Sequence, residues 1–262
     1  MPLMQAGPPQ PPGDPYRPPY PSVPPGGKLD TADTFERIGR LYVAQLPVLL
    51  GVALVIFVPI ALLEGIVNSS NSFALAVLTS VISVAGQALY AGAVVEAVAD
   101  MRDGRRDFGV PDLLRAAVPY IWPLVLAGIL FGIAFVVGLL LLIVPGLVFA
   151  TWFSLYAPAI VVERQGVLGS FRRSRELVRG NGWRVFGVLV VTVIVTAVLG
   201  AIIQRIAFGI SDSFGGAAVG ALLSGLITAP VFALTVSTLY FQLRDLREGT
   251  SGLSGPAPPP RL

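Results

Sequence analysis

Histidine and cysteine are absent from all 262 residues. Their absence excludes, by residue type alone, the usual zinc ligand sets, haem ligation, thiol nucleophiles, disulfides and a Ser-His-Asp triad. Charge is nearly as scarce. Asp, Glu, Lys and Arg make up 13% of the chain, against roughly 25% in a soluble globular domain. No two carboxylates stand at a spacing that points to a glycosidase or a metal pair, and no Gly-rich loop precedes a Lys-Ser/Thr. Asp103, Asp107 and Asp112 alternate with arginines, as a solvated mixed-charge loop does. The expectation is therefore a protein that is not an enzyme and carries no cofactor.

Apolar residues take the place of the missing charge. They form 54% of the chain, and the mean hydropathy is +0.77. A soluble fold of this length has no interior large enough to hide so much apolar surface. The net charge of +3 is small, and the basic residues flank apolar segments instead of forming a basic domain, which argues against nucleic acid as a partner.

Charge-free stretches run over residues 41–63, 65–95, 116–162, 185–204 and 213–243. About 20 residues suffice to cross the hydrocarbon core of a bilayer. The third stretch is long enough for two crossings and contains Pro145-Gly146, so it is expected to fold back as a tight helical hairpin. Six spans result, near 46–67, 74–98, 121–141, 143–163, 185–206 and 217–241. Polar turns are expected at 68–72 and 211–215.

The basic residues give the orientation. Arg17, Lys28, Arg37 and Arg40 precede the first span, and Arg102, Arg105, Arg106 and Arg115 follow the second. Arg164, Arg172, Arg173, Arg175, Arg179 and Arg184 follow the fourth, and Arg244, Arg247 and Arg261 follow the sixth; only Arg205 falls on the other side. Lys and Arg near span ends stay cytoplasmic. Both termini are thus expected in the cytoplasm, with the protein in the inner (plasma) membrane.

Each cytoplasmic entry repeats one plan: an amphipathic stretch, a break, then an apolar span. In the first, Asp33 and Glu36 have capping-box spacing, Phe35, Ile38, Leu41 and Tyr42 form an apolar face, and Pro47 opens the span. In the second, a helix begins at Pro111-Asp112, and Pro119 and Pro123 interrupt it around Trp122. In the third, Leu168, Phe171 and Val178 face away from Arg172, Arg173, Glu176 and Arg179, and Gly180-Asn181-Gly182 stops the helix before Trp183. The predicted fold class is an all-α integral membrane protein. Its six transmembrane helices form three pseudo-repeated hairpins, each preceded by a short interfacial amphipathic helix.

The membrane domain is expected over 29–246. Residues 1–28, with eleven prolines before Lys28, and residues 247–262 read as Pro-rich and Gly/Pro-rich disordered cytoplasmic tails. The N-terminal tail is a candidate contact for a protein partner. No apolar segment of signal-peptide type precedes Arg40. Gly128-x-x-x-Gly132, Gly216-x-x-x-Gly220 and Ala88-x-x-x-Gly92 put small residues on single helix faces for packing within the bundle.

Two groups of residues are the candidate sites. Arg172, Arg173, Arg175, Arg179 and Arg184 are candidate contacts for the headgroups of membrane lipids, anionic ones in particular. Glu96 and Gln87 are the candidate intramembrane polar site, because an ionisable group at that depth is costly unless paired.

From Ile143 the chain reads Ile-Val-Pro-Gly-Leu-Val, then Ala157-Pro158-Ala-Ile-Val-Val-Glu163, Gly166, Ser170-Phe-Arg-Arg-Ser174, Leu177-Val-Arg-Gly180 and Trp183-Arg-Val-Phe-Gly187. This segment resembles the membrane domain fused to some bacterial glycerophosphodiester phosphodiesterases, and a related group of stand-alone six-helix bacterial membrane proteins. The match is closest over residues 142–187 and extends loosely from about 30 to 245. It implies a six-helix membrane domain. In the fused enzymes it would place catalysis in a separate soluble domain, for which the Gly/Pro-rich segment after Arg247 leaves no counterpart, so phosphodiesterase activity is not carried over.

The leading expectation is a non-enzymatic membrane protein that organises lipid or a partner at the cytoplasmic face. A small transporter or channel stands second, with a polar path near Gln87 and Glu96. A membrane-embedded lipid-modifying enzyme stands third and would need Glu96, Asp100 and Glu163 clustered beside arginines.

Overall fold

A computed structural model describes residues 29–68, 72–102, 109–210 and 214–248. The expected N-terminal tail, residues 249–262 of the expected C-terminal tail, the tips of the polar turns at 69–71 and 211–213, and Arg105 and Arg106 lie outside these described residues, whereas Arg247 and Glu248, assigned to the C-terminal tail, instead continue the last described helix. The described chain is helical, with no strand among its residues. In order come α1 (Thr31–Asn68), α2 (Phe73–Arg102), α3 (Val110–Ala117), a 3-10 turn (Val118–Tyr120), α4 (Ile121–Leu141) and α5 (Ile143–Phe153). They are followed by α6 (Tyr156–Glu163), α7 (Val167–Val178), α8 (Gly182–Ile210) and α9 (Phe214–Glu248).

Among the described residues, six helical stretches are long and apolar enough to cross a membrane: Thr31–Leu63, Phe73–Arg102, Val110–Leu141, Ile143–Glu163, Gly182–Ala207 and Leu222–Glu248. They mark the chain as a membrane protein. Side chains such as Leu140, Ile194, Val198 and Ile133 stand exposed on the outside of the bundle. That surface would be an aggregation liability in water and is matched by lipid hydrocarbon.

Neighbouring helices pair: α1 with α2, α4 with α5, and α8 with α9. Helix α9 also packs on α1, α2, α6 and α7, so Leu234, Leu239, Tyr240 and Leu243 are fully buried. Glycines permit the closest approaches. A Cβ built on Gly220 would lie 2.7 Å from the Ala207 Cβ, and one on Gly86 would lie 2.4 Å from Ile60 Cδ1. Gly220 and Gly92 therefore serve packing within the bundle, while Gly132 faces open space.

The α4–α5 hairpin turns through a single residue. Leu142 is extended (φ −166°, ψ 140°), and Gly146 donates its N–H to the Leu142 carbonyl at 3.3 Å. The turn thus lies three residues before Pro145, which sits in the first turn of α5, where a missing N–H costs nothing. Gly138 and Gly146 face each other across it: a Cβ on Gly138 would lie 3.0 Å from the Gly146 Cα.

The three entries do not share one form. The second and third contain separate short helices, α3 and α7. The first does not, and this corrects the expected break at Pro47: α1 runs unbroken through both Pro47 and Pro59. Each proline removes one intrahelical hydrogen bond, which a long helix supported by neighbours on either side of it tolerates. The start of α1 also differs from expectation. Asp30, not Asp33, caps it, its carboxylate accepting the N–H of Ala32 at 2.9 Å. Asp33 instead pairs with Arg37 one turn on, at 2.7 Å.

Candidate functional site

Between α5 and α6 the helical ladder breaks at Ser154 and Leu155, which frees backbone groups inside the protein. Ser174 of α7 satisfies two of them. Its hydroxyl donates to the Trp152 carbonyl at 2.8 Å and accepts the Leu155 N–H at 3.0 Å, with the side chain fully buried. This anchor fixes which side of α7 faces inward. Ser170, Phe171, Ser174, Leu177 and Val178 are buried, a stripe at helical spacing. Leu168 departs from the apolar face expected of it: it stands 73% exposed. Beyond α7, Gly180 adopts φ +91°, a conformation that favours glycine, and the chain turns into α8 at Gly182.

A network of charges ties α6, α7 and α9 together. One oxygen of Glu163, Oε1, accepts both the Arg173 Nε–H at 2.7 Å and the Tyr240 hydroxyl at 2.6 Å. Arg173 also pairs with Glu248, which accepts a further bond from Arg244 at 3.0 Å. Partial burial works against the charge of Arg173, yet the hydrogen bonds and negative charges of Glu163 and Glu248 outweigh it and raise its already high pKa further. Nearby, Arg102 at the end of α2 donates from its single nitrogen Nη2 to both carboxylate oxygens of Asp245, each at 2.8 Å, and its guanidinium lies over the Phe241 ring. The N-terminal segment joins the same face: Arg184 donates to the Leu29 carbonyl at 2.6 Å, and Asn181 Oδ1 accepts the Leu29 N–H.

The five candidate headgroup arginines therefore have different roles. Arg173 and Arg184 are committed to partners inside the protein. Arg175 lies 4.7 Å above the Trp152 ring. Arg172 and Arg179 are exposed, and neither side chain has an ion-pair partner among the described residues. Trp183, 84% exposed, and Leu168 lie beside them in the sequence. Tyr240, Asp245 and Glu248, which help hold this face together, were not among the expected site residues, and Glu163 was expected only as part of a lipid-modifying site with Glu96 and Asp100. Tyr240 is 77 residues from Glu163 and Asp245 is 143 from Arg102, so no local spacing in the sequence signals either contact.

Glu96 and Gln87 separate. Glu96 is half-buried on α2, with its charge acted on by Arg164 and Asp100. Arg164 ends α6 in the left-handed region, φ 52°. Gln87 lies about 13 Å along α2 from Glu96 at 1.5 Å per residue, and it lines a cleft of about 480 Å³. The cleft is bounded mainly by α2, α4, α6 and α9, and its lining contains no Asp, Glu, Lys or Arg.

The family model described as Domain of unknown function (DUF7847) matches residues 32–243, a span that includes the cleft and Glu163, Arg173 and Tyr240 of the charged network and ends just before Arg244, Asp245 and Glu248. No curated protein and no solved structure matches the chain.

Proposed function

The chain belongs to the DUF7847 family, and from that premise we propose that it is a non-enzymatic membrane protein that gathers anionic lipid at its cytoplasmic face. In this reading the six apolar stretches are six spans in three hairpins, with both termini cytoplasmic in the plasma membrane. Kinship of residues 142–187 with the phosphodiesterase-associated membrane domain belongs to the same proposal and concerns architecture alone.

One observation carries it. Helix α7 is locked to the bundle through Ser174 and Arg173, while Arg172, Arg179, Leu168 and Trp183 are left exposed. A helix held along the interface with apolar and indole groups beside unpaired arginines suits the headgroup layer, where each basic residue contributes about 1 kcal/mol toward anionic lipid. A solute path is less well supported. It calls for polar groups leading from Gln87 to Glu96, and the cleft takes in Gln87 without Glu96. The enzyme reading needs Glu163 beside Glu96 and Asp100, whereas Glu163 is bound to Arg173 and Tyr240.

The test is lipid retention by protein purified from mixed phosphatidylglycerol and phosphatidylethanolamine bilayers, read by native mass spectrometry. Phosphatidylglycerol should be enriched on the wild-type protein and fall fivefold or more in Arg172→Ala/Arg179→Ala with the unfolding temperature unchanged. Equal retention by both proteins would sink the proposal, as would solute flux in liposomes.

A further inference from the structure

The cleft inside the bundle is a different kind of site from the charged face. At about 480 Å³ it falls within the range of small-molecule pockets, roughly 300–1,000 Å³. On α2 its lining runs from Val84 to Val95, about 16 Å at 1.5 Å per residue. Ala91, Val125, Ala229, Ala233 and Val236 make much of its wall apolar. Two lining residues, Val84 and Phe232, are also exposed on the outside of the bundle, at 40% and 45%. The cleft therefore opens sideways onto the surface that faces hydrocarbon.

Polar groups without partners stand in this apolar wall. Tyr90 is 3% exposed, and its hydroxyl has no hydrogen-bond partner among the described residues. Buried tyrosine hydroxyls are normally paired, so an orphan calls for an explanation. The Gln87 amide and the Tyr156 hydroxyl also line the cleft and make no hydrogen bond among the described residues. A Cβ on Gly128 would touch the Tyr156 hydroxyl at 3.4 Å, so the glycine keeps the space beside that group open. The other hydroxyls of the wall are satisfied locally: Ser154 donates to the Thr151 carbonyl and Ser237 to that of Ala233.

We propose that this cleft binds an uncharged lipid, its long apolar chain filling the slot and its carbonyl or hydroxyl group hydrogen-bonding Gln87 and the tyrosine hydroxyls. Three features select that chemistry. The lateral opening at Val84 and Phe232 admits ligands from the bilayer. The wall offers no counter-charge, so a phosphate or ammonium group would be buried unpaired at a cost of several kcal/mol. The unpartnered amide and hydroxyls demand a neutral hydrogen-bonding group, which a plain hydrocarbon tail lacks. This site is independent of the exposed arginines of α7.

The experiment uses the full chain in nanodiscs, titrated separately with diacylglycerol, with a polyprenyl quinone and with phosphatidylcholine. Retention is read by native mass spectrometry. At least one neutral lipid should bind with one-to-one stoichiometry, and the arm that binds identifies the source of the carbonyl. Gln87→Leu and Gly128→Leu should each weaken that binding tenfold or more while leaving phosphatidylglycerol retention intact. A photoreactive version of the bound lipid, used on the wild-type protein, should crosslink within residues 84–95 or 229–237. Absence of saturable binding in both neutral arms would overturn the proposal. So would equal occupancy by phosphatidylcholine, or crosslinks confined to other helices. Loss of phosphatidylglycerol retention in Arg172→Ala/Arg179→Ala leaves these outcomes unchanged, so the two proposals fail separately.

Discussion

Arg173 and Tyr240 share a single acceptor, oxygen Oε1 of Glu163, at 2.7 and 2.6 Å. Three helices, α6, α7 and α9, meet through that one atom. Its removal should therefore cost more than a surface ion pair would. Glu163→Ala is expected to lower stability by about 2–3 kcal/mol, within the range of about 1.5–3 kcal/mol for lost hydrogen bonds to a charged group. Tyr240→Phe, which keeps the ring and removes one bond to the same carboxylate, should cost about 1.5 kcal/mol, the lower end of that range. A double-mutant cycle between Glu163→Ala and Arg173→Ala in detergent unfolding should give a coupling of about 1–3 kcal/mol. Strict additivity would mean that the pair is not coupled.

Ser174 closes a gap in the backbone and not a contact between side chains. Ser174→Ala leaves the Trp152 carbonyl and the Leu155 N–H without their buried partner, at a cost of about 1–3 kcal/mol. Ser154→Ala is the comparison, since Ser154 bonds only within its own turn; it should stay within about 0.5 kcal/mol of wild type. Thermal unfolding of the two variants side by side measures the difference.

The hairpin at Leu142 rests on two glycines. In Gly146→Ala the new methyl would sit 2.8 Å from the Leu139 backbone nitrogen. Such overpacking costs about 1–3 kcal/mol. Gly132→Ala meets nothing within 4 Å and should be neutral or stabilising by up to about 1 kcal/mol, from helix propensity. Equal unfolding temperatures for these two variants would show that the hairpin relaxes around the methyl.

A chain without cysteine permits single-thiol mapping on an unmodified background. Arg115 on α3 and Leu142 in the hairpin turn are both exposed. In intact cells a membrane-impermeant maleimide should label Leu142→Cys, and should label Arg115→Cys only after permeabilisation. The reverse pattern would invert the proposed orientation.

What could be read from the sequence follows from how far each determinant acts along the chain. Apolar runs and Pro145-Gly146 act within a few residues, and α4 ends and α5 begins at the expected bounds, whereas the expected 143–163 span breaks at Ser154 and Leu155, neither of them a proline or glycine. Gly180-Asn181-Gly182 acts locally as well, and α7 ends beside it. Pro47 misled for a physical reason: one lost hydrogen bond is too little to break a helix as long as α1, which neighbours support on either side of the proline. Arg173 looked like its neighbours Arg172 and Arg175, because its partner Glu248 lies 75 residues away and α9 brings it there. The orphan hydroxyl of Tyr90 was equally hidden. A tyrosine in an apolar run gives no sign of whether its oxygen will find a partner.

The position of α9 at the centre of these contacts has a consequence for biosynthesis. Ribosomes deliver α1 to α8 first, so Arg102, Glu163 and Arg173 emerge before Asp245, Tyr240 and Glu248 exist to receive them. Until α9 arrives, Glu163 and Arg173 have only each other, and Arg102 lacks Asp245. The charged face built by α6, α7 and α9 therefore closes only once α9 is made, later than any contact among α1 to α8.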